Sequence, residues 1–197
     1  MKPSIILASA SPRREQLLRQ IGLNVRIMPS DADESFDPAE PPHRIVSQLA
    51  QRKAAAVADR LVSKGEADGL VIAADTIVVL GGQVLGKPES RDHALGMLME
   101  LQGNSHDVIT GVAVADIHSG RSIVDYRNTR VHMKPASRDM LIRYVETGEP
   151  DDKAGAYAIQ GLGAVLVESI EGSYDNVVGL PMSLLCDMLA RFGVRVI

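Results

Sequence analysis

Two adjacent arginines at the start of a predicted helix are the first residues of this sequence that suggest chemistry. The stretch LASASPRREQLLRQIG, residues 7–22, combines a capping serine, a first-turn proline, an apolar helical face and a final glycine. Arg13 and Arg14 fall in the first turn, where the macrodipole is already positive and each cation costs about 0.3–1 kcal/mol. Free N–H groups at that helix end bind anions, and two guanidiniums beside them form a phosphate cradle. Ser9 and Ser11 add hydroxyl donors, so we expect a phosphate-bearing ligand here.

An aspartate inside an apolar strand is the second candidate. The motif AADT, residues 73–76, places Asp75 in a nearly continuous apolar run from Gly69 to Leu80, which is typical of a strand buried on both faces. A buried carboxylate is costly unless it is paired, hydrogen-bonded or metal-bound. A strand-end aspartate bonded to backbone amides is the alternative, but isolated acids in buried strands cluster at functional sites, and we favour a functional role.

An acidic loop, SDADESFDPAEPP, follows the second predicted strand. A solvated surface loop explains such a run of carboxylates. With the strand aspartate nearby, two or three of these oxygens could instead hold a hard cation such as Mg²⁺. The acidic residues are Asp31, Asp33, Glu34, Asp37 and Glu40.

Two lysines have competing interpretations. Lys53 falls on the apolar stripe of its predicted helix, where it either extends from the core edge into solvent or reaches an anion at the edge of the sheet. Lys87 lies in GGQVLGKP, which matches G-x-x-x-x-G-K of a phosphate-binding loop. Pro88 lacks the hydroxyl that Mg²⁺ requires there, and Val84–Leu85 resembles a strand, so we exclude a kinase or ATPase loop. Lys87 alone is more often a solvated turn lysine.

A segment rich in small residues, DDKAGAYAIQGLGA at 151–164, is the last candidate. Its three glycines let the backbone approach a ligand closely. The G-L-G triplet is too weak to indicate a dinucleotide-binding fingerprint. A plain turn would explain the glycines but not Lys153, Tyr157 and Gln160 among them.

The elements that position these residues alternate between strands and helices. Strands are predicted at Ile5–Ala8, Val25–Met28, Gly69–Leu80, Val84–Leu85, His106–Ala115, Ser122–Met133 and AVLVESI at 164–170. Helices are predicted at 12–21, His43–Ser63, 91–101 after the cap Ser90, 138–147 after the cap Ser137, and Pro181–Phe192. Strands mixed with helices and one hairpin predict an α/β fold with a mixed sheet.

Composition limits the partners. The 197 residues are 45% hydrophobic, enough for one domain or two tightly joined lobes. A net charge of -4 argues against binding duplex nucleic acid, and 3% aromatic residues without tryptophan argue against stacking single strands.

Cellular setting follows from the cysteine count and the apolar runs. A single cysteine excludes an internal disulfide and a multi-cysteine zinc site, and it favours a reducing compartment. The opening MKPSIILASAS has an apolar core shorter than the ~7–15 residues of a signal peptide. No apolar run approaches the ~20 residues of a membrane span. We expect a soluble, cytoplasmic protein.

The motifs also carry a resemblance to a known family. LASASPRREQLL is similar to the signature S-x-S-P-R-R-x-x-L-L of the Maf family, nucleotide pyrophosphatases once linked to septum formation. The likeness continues through LAQRKAAAVA, AADTIVVL, LGKP, DKAGAYAIQG and GSYDNVVGLP, and so covers nearly the whole chain. It implies that residues 1–197 form a single Maf-like domain. The implied fold is that of inosine-triphosphate pyrophosphatases, an elongated mixed β-sheet flanked by helices in two lobes with a central cleft.

The resemblance also implies roles for individual residues. Asp75 would be the proton acceptor, and Arg13, Thr76 and Gln160 would set substrate specificity. A divalent cation, Mg²⁺ or Mn²⁺, would bind Asp75 with Asp33 or Glu34, Asp33 standing where a glutamate is common. The phosphate path would be lined by Ser9, Arg13, Arg14, Lys53 and Lys87.

The resemblance implies a reaction and a choice of base. DKAGAYGIQG marks the branch acting on dTTP and UTP rather than 7-methyl-GTP, and this chain carries the segment with Ala158 at the usual glycine. We therefore expect hydrolysis of dTTP and UTP to the monophosphate and pyrophosphate, with clearance of modified pyrimidine nucleotides as one role, by a homodimer. The alternatives are a 7-methyl-GTP pyrophosphatase and a non-catalytic nucleotide-binding regulator of cell division.

Overall fold

The computed structural model describes residues 3–197; Met1 and Lys2, which begin the stretch considered above as a signal peptide, lie outside the described residues. The strands are β1 (Ile5–Leu7), β2 (Arg26–Ile27), β3 (Leu70–Leu80), β4 (Gln83–Leu85), β5 (Ser105–Asp116), β6 (Ser122–Met133) and β7 (Val167–Glu171). The helices are α1 (Pro12–Gln20), α2 (Pro42–Ser63), α3 (Arg91–Leu101), α4 (Arg138–Glu146), α5 (Tyr174–Val178) and α6 (Met182–Ala190). Short 3-10 helices occupy Glu149–Asp152, Ala154–Ala156 and Gly161–Leu166.

The seven strands form one mixed sheet. Its order is β2-β1-β3-β5-β6-β7, and β4 pairs with β3 outside this path. Strand β1 runs parallel to β2 and β3, whereas β4 is antiparallel to β3 and β7 is antiparallel to β6. Along β3 every residue except Thr76 and Leu80 is buried, as the apolar run predicted. The predicted α/β fold with a mixed sheet is confirmed.

Most predicted helix ends are also confirmed. The side chains of Ser90 and Ser137 accept hydrogen bonds from the backbone N–H groups of His93 and Met140, and so cap α3 and α4. Gly22 follows α1 with a φ of 76°, which glycine adopts without the strain a side chain would add.

The predicted strand at AVLVESI is wrong in its first half. Residues 164–166 belong to the last 3-10 helix, and β7 begins only at Val167. Tertiary packing overrides the β-propensity of this apolar run. Leu166 is 1% exposed and its carbonyl accepts from the N–H of Lys134 at 2.8 Å, whereas Val165 is 58% exposed. The short helix α5 was not predicted.

Two compact units divide the chain. One comprises the residues up to Asp75, Thr110–Arg127 and Gly179–Ile197, and the other comprises Thr76–Ile109 and Asn128–Val178. In the first unit, apolar residues of β1, α2, β3 and β5 form a core that includes Ile6, Val57, Leu61 and Val71. In the second, α3 and α4 pack with strand residues in a core that includes Val78, Leu98, Leu141 and Leu166. None of the described helices has the length and apolar character needed to cross a membrane.

Candidate active site

A buried ion pair lies at the centre of the candidate site. The Nζ atom of Lys53 on α2 lies 2.5 Å from Oδ1 of Asp75 on β3, and these side chains are 12% and 13% exposed. The same Nζ lies 2.8 Å from Oε1 of Glu34, a carboxylate that is 63% exposed. Lys53 thus reaches two anions. The pairing compensates the cost of placing Asp75 in an apolar strand, and it brings two carboxylates together beside one cation.

The acidic loop is fastened to α2 by the arginine that precedes Lys53. Arg52 donates to the backbone carbonyls of Asp33 at 3.1 Å and Ser35 at 2.7 Å. The Asp33 carboxylate accepts hydrogen bonds from the hydroxyl and the backbone N–H of Ser35. The bond from the hydroxyl lowers the pKa of Asp33. Of these two loop acids, Glu34 therefore points to Lys53 and Asp33 is engaged within the loop.

The two arginines of the opening motif have different environments. Arg14 donates to the carbonyls of Gly179 at 2.7 Å and Ala74 at 2.8 Å, and to the Ser9 hydroxyl at 3.2 Å. Burial lowers the pKa of Arg14, while the nearby charge of Asp75 acts in the opposite direction. Arg14 therefore ties α1 to the backbone next to Asp75.

Arg13 is the more available cation of the pair. It is partly exposed, and within residues 3–197 its side chain makes no hydrogen bond or ion pair. The predicted cap, Ser11, does occupy the N-cap position of α1, but its side chain makes no capping hydrogen bond. The N–H groups of the first turn therefore keep their capacity to bind an anion beside Arg13.

Three further candidates belong to the second unit. Thr76 directly follows Asp75 on β3 and is partly buried, and Lys87 is exposed two residues beyond β4. Gln160 is partly buried and precedes the 3-10 helix Gly161–Leu166. Ala158 is buried, and Ala156 is the one described residue other than glycine with a positive φ. Alanine therefore fits position 158 without the backbone strain that would require glycine.

Two residues near Gln160 were missed by sequence reasoning. The carboxylate of Glu149 accepts hydrogen bonds from the backbone N–H groups of Leu162 at 3.0 Å and Gly163 at 2.8 Å, and from the Tyr144 hydroxyl at 3.0 Å. Partial burial raises the pKa of Glu149, but these three donors outweigh it and hold the pKa below its usual value. Because two of the partners are backbone groups, no residue pattern in the sequence indicated this cluster.

A buried histidine supports the other side of the same segment. His106 on β5 lies with Nε2 2.7 Å from the Tyr157 hydroxyl, and the two rings meet edge to face. Burial lowers the pKa of His106 to about 4. Its Nδ1 atom has no hydrogen-bond partner among the described residues, so a second proton would find no acceptor there. His106 is therefore neutral at physiological pH.

This histidine predicts a loss of stability in weak acid. As the pH falls below 6.5 the unfolded chain protonates His106, whereas the folded chain does so only near pH 4. The free energy of unfolding should drop by about 3 kcal/mol across this window. Urea unfolding at pH 7.5 and 4.5 measures the drop, and the His106→Gln variant should show a smaller one. Equal drops in the two proteins would contradict the prediction.

Comparison with known proteins identifies the family of this chain. The profile of the Maf family (Maf-like protein) matches residues 4–192. The chain is 51% identical to a dTTP/UTP pyrophosphatase of Desulforamulus reducens over 100% of both chains. It is 52% identical to one of Pelotomaculum thermopropionicum over 98% of each. Among solved structures it is similar to the Staphylococcus aureus Ham1 protein, with a TM-score of 0.46 and 15% identity over 83% of this chain and 79% of that one. The family profile and the two full-length relatives together show that the chain belongs to the Maf family.

Proposed function

We propose that this protein is a nucleoside-triphosphate pyrophosphatase that hydrolyses dTTP and UTP to the nucleoside monophosphate and pyrophosphate. The observation that carries the reaction is the buried Asp75 carboxylate, which lies 2.5 Å from Lys53 and next to Ala74, whose carbonyl accepts from Arg14. The names of the relatives from Desulforamulus reducens and Pelotomaculum thermopropionicum support the choice of nucleotides.

Asp75 is the group that would accept the proton of the attacking water. Attack on the α-phosphorus breaks the bond to the bridging oxygen, and pyrophosphate leaves with the negative charge. Arg13 and the first-turn N–H groups of α1 would bind the polyphosphate, because cations and backbone donors aimed at phosphate oxygens stabilise the charge that develops there. Lys53 fixes the orientation of Asp75 through their ion pair. Substrate selection, by family resemblance, belongs to Arg13, Thr76 and Gln160.

A divalent cation fits these residues. Mg²⁺ sites in nucleotide enzymes use one or two carboxylates and take their remaining ligands from phosphate oxygens and water. Asp75 and Glu34 supply two carboxylates, which both contact the Lys53 ammonium group. The described residues contain no cluster of three or more His, Cys, Asp or Glu side chains suited to a metal, so the remaining ligands would come from the substrate and water. We infer that Mg²⁺ or Mn²⁺ binds at Asp75 and Glu34 together with the substrate. When bound, the metal would act as a Lewis acid on the phosphate groups.

Pyrophosphate release distinguishes this enzyme from a nucleotide-binding regulator. Purified protein should release pyrophosphate, and no orthophosphate, from dTTP with Mg²⁺ or Mn²⁺. Chelation of the metal should abolish the release. Tight binding of dTTP without turnover under either metal would instead favour a regulator that uses the same residues to sense nucleotides.

The two arginines should respond differently to substitution by alanine. Arg13→Ala removes a charge-assisted phosphate contact, and we expect a higher KM, a lower kcat and a fall in kcat/KM for dTTP of about 100-fold. Its thermal stability should be unchanged or slightly raised, because a cation leaves a helix N-terminus. Arg14→Ala leaves the carbonyls of Gly179 and Ala74 without their donor, and should cost about 2–3 kcal/mol of stability.

Steady-state kinetics and thermal unfolding of both variants check this contrast. Arg19→Ala is the matched control, since Arg19 lies on the same helix and is exposed. A sharp loss of stability in Arg13→Ala with unchanged kinetics would make Arg13 a structural residue.

We further propose that the enzyme is a cytoplasmic homodimer. Family resemblance supports a homodimer, and the single cysteine supports the reducing environment of the cytoplasm. Sedimentation of the purified protein tests the first point.

A further inference from the structure

The Gln160 side chain, to which family resemblance gives base selection, has no hydrogen-bond partner among residues 3–197. It also does not cap the 3-10 helix that follows it. A free glutamine amide can rotate and exchange its donor and acceptor ends. Its orientation must therefore be set by the backbone on either side.

One hydrogen-bond network holds both sides of that backbone. After Gln160, the Glu149 carboxylate accepts from the N–H groups of Leu162 and Gly163 at 3.0 and 2.8 Å. Before it, the N–H of Ala158 donates to the Tyr144 hydroxyl at 3.2 Å, and that hydroxyl donates to Glu149 at 3.0 Å. The segment 158–163 therefore closes around a single carboxylate and its tyrosine partner.

The glycines show how tightly the segment packs on this network. A Cβ atom at Gly161, whose φ is 67°, would lie 2.4 Å from Oε2 of Glu149. A Cβ atom at Gly163 would lie 2.4 Å from the Ala158 carbonyl oxygen and 2.5 Å from the Tyr144 hydroxyl. At Gly163 the clash is partly with backbone, which cannot rotate away, and at Gly161 the Glu149 carboxylate would have to leave its place. The contacts in this network therefore require glycine at both positions.

We propose that Glu149 is a positioning residue for base selection: with Tyr144, its carboxylate fixes the 158–163 segment so that the Gln160 amide meets the base in one orientation. This inference rests on the proposed hydrolysis of dTTP and UTP. Thymine and uracil present a carbonyl acceptor beside a ring N–H donor, and cytosine presents the reverse. An amide held in one orientation rejects cytosine, whereas a mobile amide turns and accepts both.

The test compares Glu149→Gln with Tyr144→Phe and with Glu146→Gln as the matched control. Glutamine at 149 presents an N–H donor where a carboxylate oxygen accepted from the backbone. Phenylalanine at 144 removes the hydroxyl and keeps the ring. Glu146 is exposed on the same helix as Tyr144, and its substitution makes the same charge change outside the network.

Two measurements test the two parts of the inference: that Glu149 holds the 158–163 segment, and that this hold sets the choice of base. Hydrogen exchange without nucleotide should be at least about tenfold faster at the Leu162 and Gly163 amides in Glu149→Gln than in the wild type or the control. The ratio of kcat/KM for dTTP to that for CTP should fall about tenfold in both test variants, with kcat for dTTP within about threefold of wild type.

Each outcome decides the inference. An unchanged ratio, an equal loss of kcat/KM on every nucleotide, or unchanged exchange would overturn it, as would failure of both test variants to fold. A wild-type protein that releases no pyrophosphate would contradict the proposed function and, with it, the role in base selection. Faster exchange in Glu149→Gln would in that case still show that Glu149 holds the 158–163 segment.

Discussion

The Asp75→Asn variant is expected to fold normally and to lose about 10³-fold in kcat on dTTP. Asparagine is nearly isosteric with aspartate, but it neither accepts a proton readily nor carries the charge that a metal ion requires. Lys53 keeps Glu34 as an ionic partner 2.8 Å away, so the substitution does not leave a buried cation alone. Steady-state kinetics with thermal unfolding on the same preparation measures both expectations.

Asp59→Asn provides the control for this substitution. Asp59 lies on the exposed side of α2, so the same chemical change there should leave kcat within about twofold of wild type. A folded Asp75→Asn protein with near-normal kcat would remove Asp75 from the mechanism.

Gly111→Ala is expected to cost about 3 kcal/mol of stability or more, and to lower Tm by roughly 6–12 °C. Gly111 lies on β5 where the backbone of α2 crosses it. An added Cβ would lie 2.4 Å from the Val46 carbonyl oxygen and 2.9 Å from the Ser47 nitrogen. Backbone atoms cannot rotate away, so α2 must move off the sheet and carry Lys53, two turns further on, with it.

Thermal unfolding of Gly111→Ala beside Gly96→Ala tests this packing. Gly96 lies within α3, and a Cβ there meets no atom within 4 Å, so alanine should stabilise that helix by about 0.5–1 kcal/mol. Equal Tm values for Gly111→Ala and the wild type would show that α2 packs less closely on β5.

Elements with a strong local signal could be predicted from the sequence. The apolar run of β3, the capping serines of α3 and α4 and the periodic face of α2 each depend on neighbouring residues, and all four appear in the structure. Residues 164–166 could not be assigned in this way, because the burial of Leu166 and the bond from Lys134 to its carbonyl are tertiary contacts.

The candidate site was predictable in its residue types and less so in its pairings. The sequence does not distinguish Arg13 from Arg14. Consecutive helical residues point in directions about 100° apart, however, and only Arg14 reaches the Gly179 and Ala74 carbonyls. The sequence allows Lys53 either to face solvent or to reach an anion, and in the structure it contacts the carboxylates of Asp75 and Glu34.

The role of Glu149 could not be predicted from the sequence. Its partners Leu162 and Gly163 contribute backbone N–H groups, which every residue except proline possesses. Only the folded chain shows that these groups and the Tyr144 hydroxyl converge on one carboxylate.

The measurement that tests the central claim most directly is kcat/KM for dTTP, UTP, CTP and 7-methyl-GTP, determined side by side with Mg²⁺ and with Mn²⁺. A site that uses the Gln160 amide against a pyrimidine edge should favour dTTP and UTP over CTP by about 100-fold, because cytosine leaves its hydrogen bonds unmade. The Gln160→Ala variant should flatten that preference while still releasing pyrophosphate. Highest efficiency on 7-methyl-GTP, or no pyrophosphate from any of the four nucleotides, would contradict the assignment of this protein as a dTTP and UTP pyrophosphatase.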